Sequence, residues 1–283
     1  SSDGELSPEQ LIDLAIEKGI QAIAITDHDS VASLERAIEY SKGRNIEVVP
    51  GVELSADDPL FHYDKIDILG LFIDFKNKDL NSAIEKIIQR REENKNKIIE
   101  KLKSFGYDIE YEDVKKTVGG TFGRPHIAKY LLKKYPDKFL SVNDVFNKEI
   151  GRGERAFLKT EDRISVEDAI KVIRNAGGLS ILAHPGIYQR EHSIKIIDYF
   201  LENGGDGIET YYPYHIICPE FNLDEERNME MINFYKEIVK TKGILEGGGN
   251  DHHGNYRPTF GVIGVPDEVL DELKKALKNN KNI

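Results

Sequence analysis

The sequence predicts an α/β fold, in which strands of a parallel sheet, open or closed into a barrel, alternate with helices. Three observations predict it. Short apolar runs recur between amphipathic stretches in the first and last parts of the chain. Between residues 80 and 155 no strand pattern is found and only helical periodicity is present. The length of 283 residues, 39% hydrophobic and 31% charged, suits a single large α/β domain carrying an inserted lobe. The expected division is a barrel built from 1–78 and 164–283, with a helical insertion at 79–163 that covers the barrel's C-terminal face.

The elements follow in order. Ser7-Pro8-Glu9-Gln10 combines an N-cap serine, a first-turn proline and Gln10 for a capping box. Leu11, Ile12, Ala15 and Ile16 continue at helical spacing, and Gly19 ends the helix. Gln21 to Thr26 reads as a buried strand, Val31 to Ser41 as a helix, and Ile46–Val49 and Lys65–Phe72 as strands. From Leu80 to Phe105 a long helix is predicted, burying Ile84, Ile87, Ile88, Ile98, Ile99, Leu102 and Phe105 on one face. Helical stretches at Ile127–Leu132 and Val142–Phe146 follow, and Gly151-Arg152-Gly153 leads out of the insertion. The alternation resumes with Ser165, expected to form a capping box with Asp168. Strands are predicted at Leu179–Leu182, Gly207–Glu209 and from Gly243. Helices are predicted at Ile194–Leu201, Asn228–Lys240 and Pro266–Leu277.

Composition narrows the function. A net charge of −11 argues against an extended nucleic-acid surface, although a short or terminal piece of nucleic acid needs only local positive charge. No apolar run reaches the roughly 18 residues of a membrane span, and the polar opening Ser1-Ser2-Asp3-Gly4 has no signal-peptide pattern. The single cysteine, Cys218, reads as a packing residue and fits a reducing cytoplasm.

In parallel barrels the chemistry sits beyond the C-terminal strand ends. Four predicted strands lead into Thr26-Asp27-His28-Asp29, Gly51-Val52-Glu53, Ala183-His184-Pro185-Gly186 and Asn250-Asp251-His252-His253. These are the residue types that bind Zn, Mn or Fe. Polar residues collect at strand ends anyway, but four such endings on one rim favour a metal site. Asp67, inside the apolar run Ile66 to Phe72, adds a second line of argument. A lone carboxylate in a strand buried on both faces costs several kcal/mol unless a cation joins it. Glu209 poses the same question and is expected to support a ligand or touch substrate.

Together these motifs resemble the PHP (polymerase and histidinol phosphatase) metallo-phosphoesterases, and the resemblance covers nearly the whole chain. Gly123-Arg124-Pro125-His126 resembles the branch containing 3′,5′-nucleoside bisphosphate phosphatases and 5′→3′ exoribonucleases. The resemblance implies a distorted seven-stranded (βα) barrel holding two or three divalent ions, of Mn, Fe or Zn, with Mg also admitted. It implies that Glu53 bridges two ions and His184 binds one of them. Asp3, His28 and His253 would hold the third, and Asp251 would complete the first. Glu53, Asp251 and His253 are the expected catalytic residues. Asp67 stands where the family usually has histidine, so the second ion site departs from the pattern. Ser2-Asp3-Gly4 resembles the end of the family's first motif, whose His-x-His is expected just before Ser1. His62 reads as a loop residue.

Phosphoester hydrolysis needs neutralised phosphoryl oxygens and a positioned water, which clustered divalent ions supply. Arg124, His126 and His215 are the expected phosphate contacts; Tyr211, Tyr212 and Tyr214 either stack on a base or pack. The expected activity is metal-dependent hydrolysis of a small phosphorylated substrate, a nucleoside 3′,5′-bisphosphate or an RNA 5′ end. Phosphatase or cyclic phosphodiesterase action on another small phosphoester is the rival. A catalytically inactive barrel that binds nucleotide or metal is the alternative from a different class.

Overall fold

A computed structural model describes residues 4–58, 60, 65–118, 122–158, 163–255 and 257–280. Asp3 and His62 lie outside the described residues. The chain divides into two compact units, Ser1–Ile84 with Ile164–Ile283, and Glu85–Arg163.

In chain order the elements are α1 (Pro8–Glu17), β1 (Ala22–Ile25), α2 (Leu34–Ser41), β2 (Glu47–Ala56), β3 (Ile66–Leu71), α3 (Lys78–Ser104) and α4 (Tyr111–Lys116). They continue with α5 (Arg124–Lys134), α6 (Val142–Val145), a π-helical turn (Phe146–Ile150), α7 (Val166–Asn175), β4 (Leu179–Leu182), α8 (Arg190–Glu202) and β5 (Gly207–Tyr211). The last are α9 (Tyr214–Ile217), α10 (Glu225–Lys242), β6 (Leu245–Gly248) and α11 (Asp267–Asn280).

The helix starts follow their capping chemistry. Ser7 accepts from the Gln10 N–H while the Gln10 side chain accepts from the Ser7 N–H, so both halves of the box form. At α7 only the serine half forms: Ser165 accepts from the Asp168 N–H. Aspartate is one methylene shorter than the glutamate of a full box. The short helices α4 and α9 and the π turn escaped the sequence reading, because four to six residues carry too little periodicity.

The six described strands form one sheet in the order β1-β2-β3-β4-β5-β6. The expectation of an all-parallel sheet fails at one strand. β3 runs antiparallel to both β2 and β4, while the pairs β1/β2, β4/β5 and β5/β6 are parallel. Among the described residues no helix separates β2 from β3, and an antiparallel pair needs none. The second strand is also longer than expected. Residues 47–50 pair with β1 and residues 51–56 with β3, so Glu53 lies within β2 rather than on a loop after it. Gly51 sits where the partner changes. A Cβ there would stand 2.7 Å from Thr26 Cγ2 and 3.0 Å from the Gly70 carbonyl, so this close approach requires glycine.

Val49, Leu71, Leu179, Ile181, Tyr211 and Ile232 form a core beneath the sheet, closed by Val269 and Leu273 of α11. β4 and β5 are buried throughout, whereas every residue of β1 except Ile25 is partly or well exposed. β1 and β6 share no pairing among the described residues, yet both line one cavity of about 520 Å³. Six strands are thus described where the resemblance implies seven.

The second unit has its own core of Ile98, Ile99, Leu102, Ile109, Ile127, Leu131 and Ile150 with their neighbours. Ile88 and Phe105, expected on the buried face of α3, are exposed by 47% and 39%. The apolar stripe of that helix is therefore narrower than its sequence spacing indicates.

Candidate metal centre

The direction of β3 brings the site together. Five strands run one way and end at one rim, and antiparallel β3 begins there. Asp67, the second residue of β3, pairs with Ser55 near the end of β2, and Ile68 pairs with Leu182 at the end of β4. A carboxylate at a strand's start thereby reaches side chains placed beyond other strands' ends.

Within Thr26-Asp27-His28-Asp29 the two aspartates hold the backbone. Asp27 accepts from the Ser33 hydroxyl, and Asp29, buried with φ +45, accepts from the Ser55 N–H at 3.0 Å. The loop adds one rung to the β1/β2 ladder, where the Glu53 N–H donates to the Asp27 carbonyl at 3.1 Å. The Asp29 N–H donates to the Glu53 carbonyl at 2.9 Å, so His28 stands opposite Glu53. The imidazole Nδ1 of His28 lies 3.6 Å from Glu53 Oε2.

His184 follows β4 in the left-handed region, with φ +30 and ψ 55. Its N–H donates to Glu209 Oε2 at 2.7 Å, and the Ala183 N–H donates to the Asp67 carbonyl at 2.9 Å. These bonds aim Nε2 of His184 at Glu53 Oε1, 3.2 Å away, and at Asp67 Oδ2, 3.7 Å away. Asp251, also at positive φ (+44), receives the Tyr212 hydroxyl at 2.6 Å and a guanidinium N–H of Arg257, both on Oδ2. Its Oδ1 lies 3.4 Å from His253 Nδ1. The rings of His28 and His253 are 6.3 Å apart, which puts them at the same end of the sheet. Strained backbone at two site residues matches the way such conformations gather where surrounding structure holds a functional side chain.

The ionisable groups of the site are strongly coupled. Burial alone would lower the His184 pKa, but the hydrogen bond and charge of Glu53, with Asp67 and Glu209, push it up to about 9. Burial pushes the Glu209 carboxyl up to about 8. Burial opposes ionisation of Asp251, yet His184, Tyr212, Arg257 and His253 together hold its carboxyl below the usual range. Four buried or nearly buried carboxyl groups thus share one small region; their crowding raises His184 and adds to burial in raising Glu209, and a divalent cation among them would relieve it.

The donor set fits a divalent ion. His28, Glu53 and Asp67 each place a ligand atom within 4.8 Å of the others. Donors on a shared ion, about 2.0–2.2 Å from it, stand no more than roughly 4.4 Å apart, so a small closing movement suffices. Asp67 Oδ1 and His184 Nδ1 are buried with no hydrogen bond among the described residues. A buried carboxylate oxygen left in that state is costly unless a ligand reaches it.

Asp67 is not the lone carboxylate that its strand context predicts. Lys65 Nζ lies 3.0 Å from its Oδ2. The available signal was the i−2 spacing, which puts both side chains on one face of the strand. Arg257 was likewise missed, having no periodic pattern around it. Of the other expected residues, His215 does not line the cavity; its N–H donates to Asn228 Oδ1 at 3.2 Å. Arg124 and His126 open α5 in the other unit, where His126 Nδ1 accepts from the Gly123 N–H at 3.0 Å. That bond leaves Nε2 as the protonated, donating nitrogen of His126. Cys218 is free and buried, packed with Tyr212 and Tyr214.

The PHP domain family model matches residues 1–179. The chain belongs to the PHP family. As a member it is a metal-dependent phosphoesterase, in keeping with a rim of imidazoles and carboxylates. A Haemophilus influenzae protein named 5′-3′ exoribonuclease is 32% identical over 211 residues, 74% of this chain and 75% of its own length. A Chromobacterium violaceum 3′,5′-nucleoside bisphosphate phosphatase is 29% identical, covering 89% of this chain and 84% of its own. An Eggerthella lenta phosphoribosyl 1,2-cyclic phosphate 1,2-diphosphodiesterase is 27% identical over 90% of this chain and 91% of its own. Among solved structures, a Bifidobacterium adolescentis protein described as a metal-dependent phosphoesterase superposes with a TM-score of 0.71. It is 25% identical, over 96% of this chain and 91% of that one.

Proposed function

We propose that this PHP phosphoesterase acts on a nucleotide, removing the 3′-phosphate of a nucleoside 3′,5′-bisphosphate or cleaving at an RNA 5′ end. The observation that carries the reading is the meeting of His28, Glu53, Asp67 and His184 at one end of the sheet, with Asp251 and His253 beside them. We assign these six residues, with Asp3, to the metal cluster. The mixture of imidazole nitrogen and carboxylate oxygen suits Mn, Fe or Zn, with Mg also admitted.

These residues would hold two or three divalent ions, which when bound would supply charge neutralisation on the phosphoryl group and an activated water. The protein's own residues do the rest. Glu53, within a buried strand and facing both His28 and His184, keeps the donors in register. Tyr212 fixes one oxygen of Asp251 and so presents the other toward His253. Arg124 and His126 are assigned to phosphate contact, Arg124 through its paired N–H groups and His126 through Nε2–H. The nucleotide preference rests on the Gly123 to His126 motif and on the named relatives. The free thiol and the absence of a long apolar helix among the described residues fit action in the cytoplasm.

The Eggerthella relative, matched over nine-tenths of both chains, favours a second reading, cleavage of a cyclic phosphodiester. One experiment separates the two. Metal content is measured first, and turnover is then compared as phosphate released from adenosine 3′,5′-bisphosphate and from glucose 6-phosphate, mononucleotide released from a 5′-phosphorylated oligoribonucleotide, and ring-opened monoester formed from a sugar cyclic phosphate. Turnover should be fastest on the first or second and require divalent metal. Full activity after exhaustive metal removal would overturn the mechanism. Equal turnover of glucose 6-phosphate would overturn only the substrate assignment. Metal binding without any hydrolysis would favour the inactive barrel.

A further inference from the structure

We infer that Arg257 is a substrate-binding residue of this site, a guanidinium at the edge of the metal cluster that grips a phosphoryl oxygen of the bound ester. The inference rests on the phosphoesterase reading above and adds to it a residue from the sheet-containing unit itself.

Arg257 is built into place. It follows His253 by four residues and is tied back to that motif: the Arg257 N–H donates to the Gly254 carbonyl at 3.2 Å, and the His253 N–H donates to the Arg257 carbonyl at 3.2 Å. The Arg257 carbonyl also accepts from the N–H of fully buried Thr259 at 2.9 Å. The same short segment thus delivers Asp251, His253 and Arg257 to one place.

Its contact shows what it is suited to do. One guanidinium N–H reaches Asp251 Oδ2, an oxygen that already accepts the hydroxyl of almost fully buried Tyr212 at 2.6 Å. Orienting Asp251 therefore has a buried neutral donor of its own. The Arg257 side chain is 29% exposed, against 15% for Asp251, and its Nε and second terminal nitrogen make no hydrogen bond among the described residues. A guanidinium offers five donors in a planar fork that matches carboxylate and phosphate alike. One arm is on the Asp251 carboxylate, and the other donors of this part-exposed side chain have no partner among the described residues. An anionic ester approaching Glu53, Asp67 and Asp251 meets repulsion that bound ions would offset, and a fixed cation at the edge of the site lowers that repulsion at the phosphoryl oxygens.

The test compares Arg257→Ala and Arg257→Lys with the metal-loaded wild-type protein. Bound metal, inorganic phosphate binding by calorimetry and steady-state kinetics on the best ester are measured together, with circular dichroism to verify folding. Metal content should be unchanged, while phosphate binding and kcat/KM fall about tenfold to a hundredfold in Arg257→Ala, the size of a charged hydrogen bond. Arg257→Lys should recover part of this, and free guanidinium should partly rescue Arg257→Ala but not the wild type. Metal lost in proportion to activity would overturn the inference, because Arg257 would then act only by holding Asp251. Phosphate affinity within twofold of wild type would overturn it as well. If Arg257→Ala fails to fold, the lysine variant carries the test, since it keeps the charge and loses the fork. A wild-type protein that hydrolyses no phosphoester yet binds phosphate through Arg257 would sink the functional reading and leave this one standing.

Discussion

Two buried groups of charged residues, one in each unit, are built on opposite plans. In the helical unit Glu149 sits on the π-helical turn, almost fully buried, and every demand it makes is met. Arg155 grips both its oxygens, at 2.7 and 2.6 Å, and the Tyr107 hydroxyl adds a third donor at 2.5 Å. At the rim of the sheet the carboxylates of Glu53, Asp67, Glu209 and Asp251 crowd around His184, backbone is left-handed at two site residues, and Asp67 Oδ1 has no hydrogen bond among the described residues. A completed network stabilises a fold, whereas one with a buried carboxylate oxygen left over is the arrangement that a divalent cation would complete. A buried carboxylate alone therefore says little. What distinguishes the two is whether each of its oxygens has a partner among the described residues.

The comparison can be broken most decisively at His184. His184→Ala should abolish most metal binding and lower kcat by at least about a hundredfold. Arg155→Ala should leave metal content unchanged while destabilising the protein by about 2–3 kcal/mol, toward the low end for broken buried pairs because Arg155 is half exposed. Metal analysis and denaturant unfolding on both variants check this. Comparable metal loss in the two would erase the distinction.

A smaller effect sharpens it. Tyr212→Phe removes one donor from Asp251 and should weaken metal affinity about tenfold to a hundredfold, the range for groups that orient a ligand, read by competition with a chelator. Smallest is a pH effect in the helical unit. Burial and the Glu149 carboxylate push the Tyr107 phenol up to about 12. Its hydrogen bond is therefore fully present below pH 10 and is lost as pH rises toward 12, so stability should decline across that window. A difference titration of phenolate absorbance, wild type against Tyr107→Phe, measures it; an ordinary value near 10 would show that Tyr107 does not donate to a buried Glu149 carboxylate.

Much of this was legible along the chain. Capping serines, stop glycines and the switch between strand and helix periodicity are local signals, and they marked α1, α7, β1, β4 and β5 because the deciding interactions lie within a few residues. Motifs at strand ends named His28, His184, Asp251 and His253 for the same reason. The sequence by itself thus determined the α/β class, the family and the type of the longer elements, and it singled out Asp67 and Glu209 as carboxylates in apolar surroundings.

Tertiary structure alone decided how these parts meet. Strand direction is not encoded in a strand's own pattern, since side chains alternate in either sense, so only the fold could show that β3 runs backward and carries Asp67 to the rim. It also showed that Lys65 shares the Asp67 carboxylate, that Tyr212 and Arg257 meet on one oxygen of Asp251, and that Asp27 and Asp29 serve the loop while His28 faces Glu53. Each is a contact between side chains whose distance depends on backbone path rather than on spacing in sequence. The physical reason is one of range: capping and periodicity act over a turn or two, whereas a charge finds its partner through space.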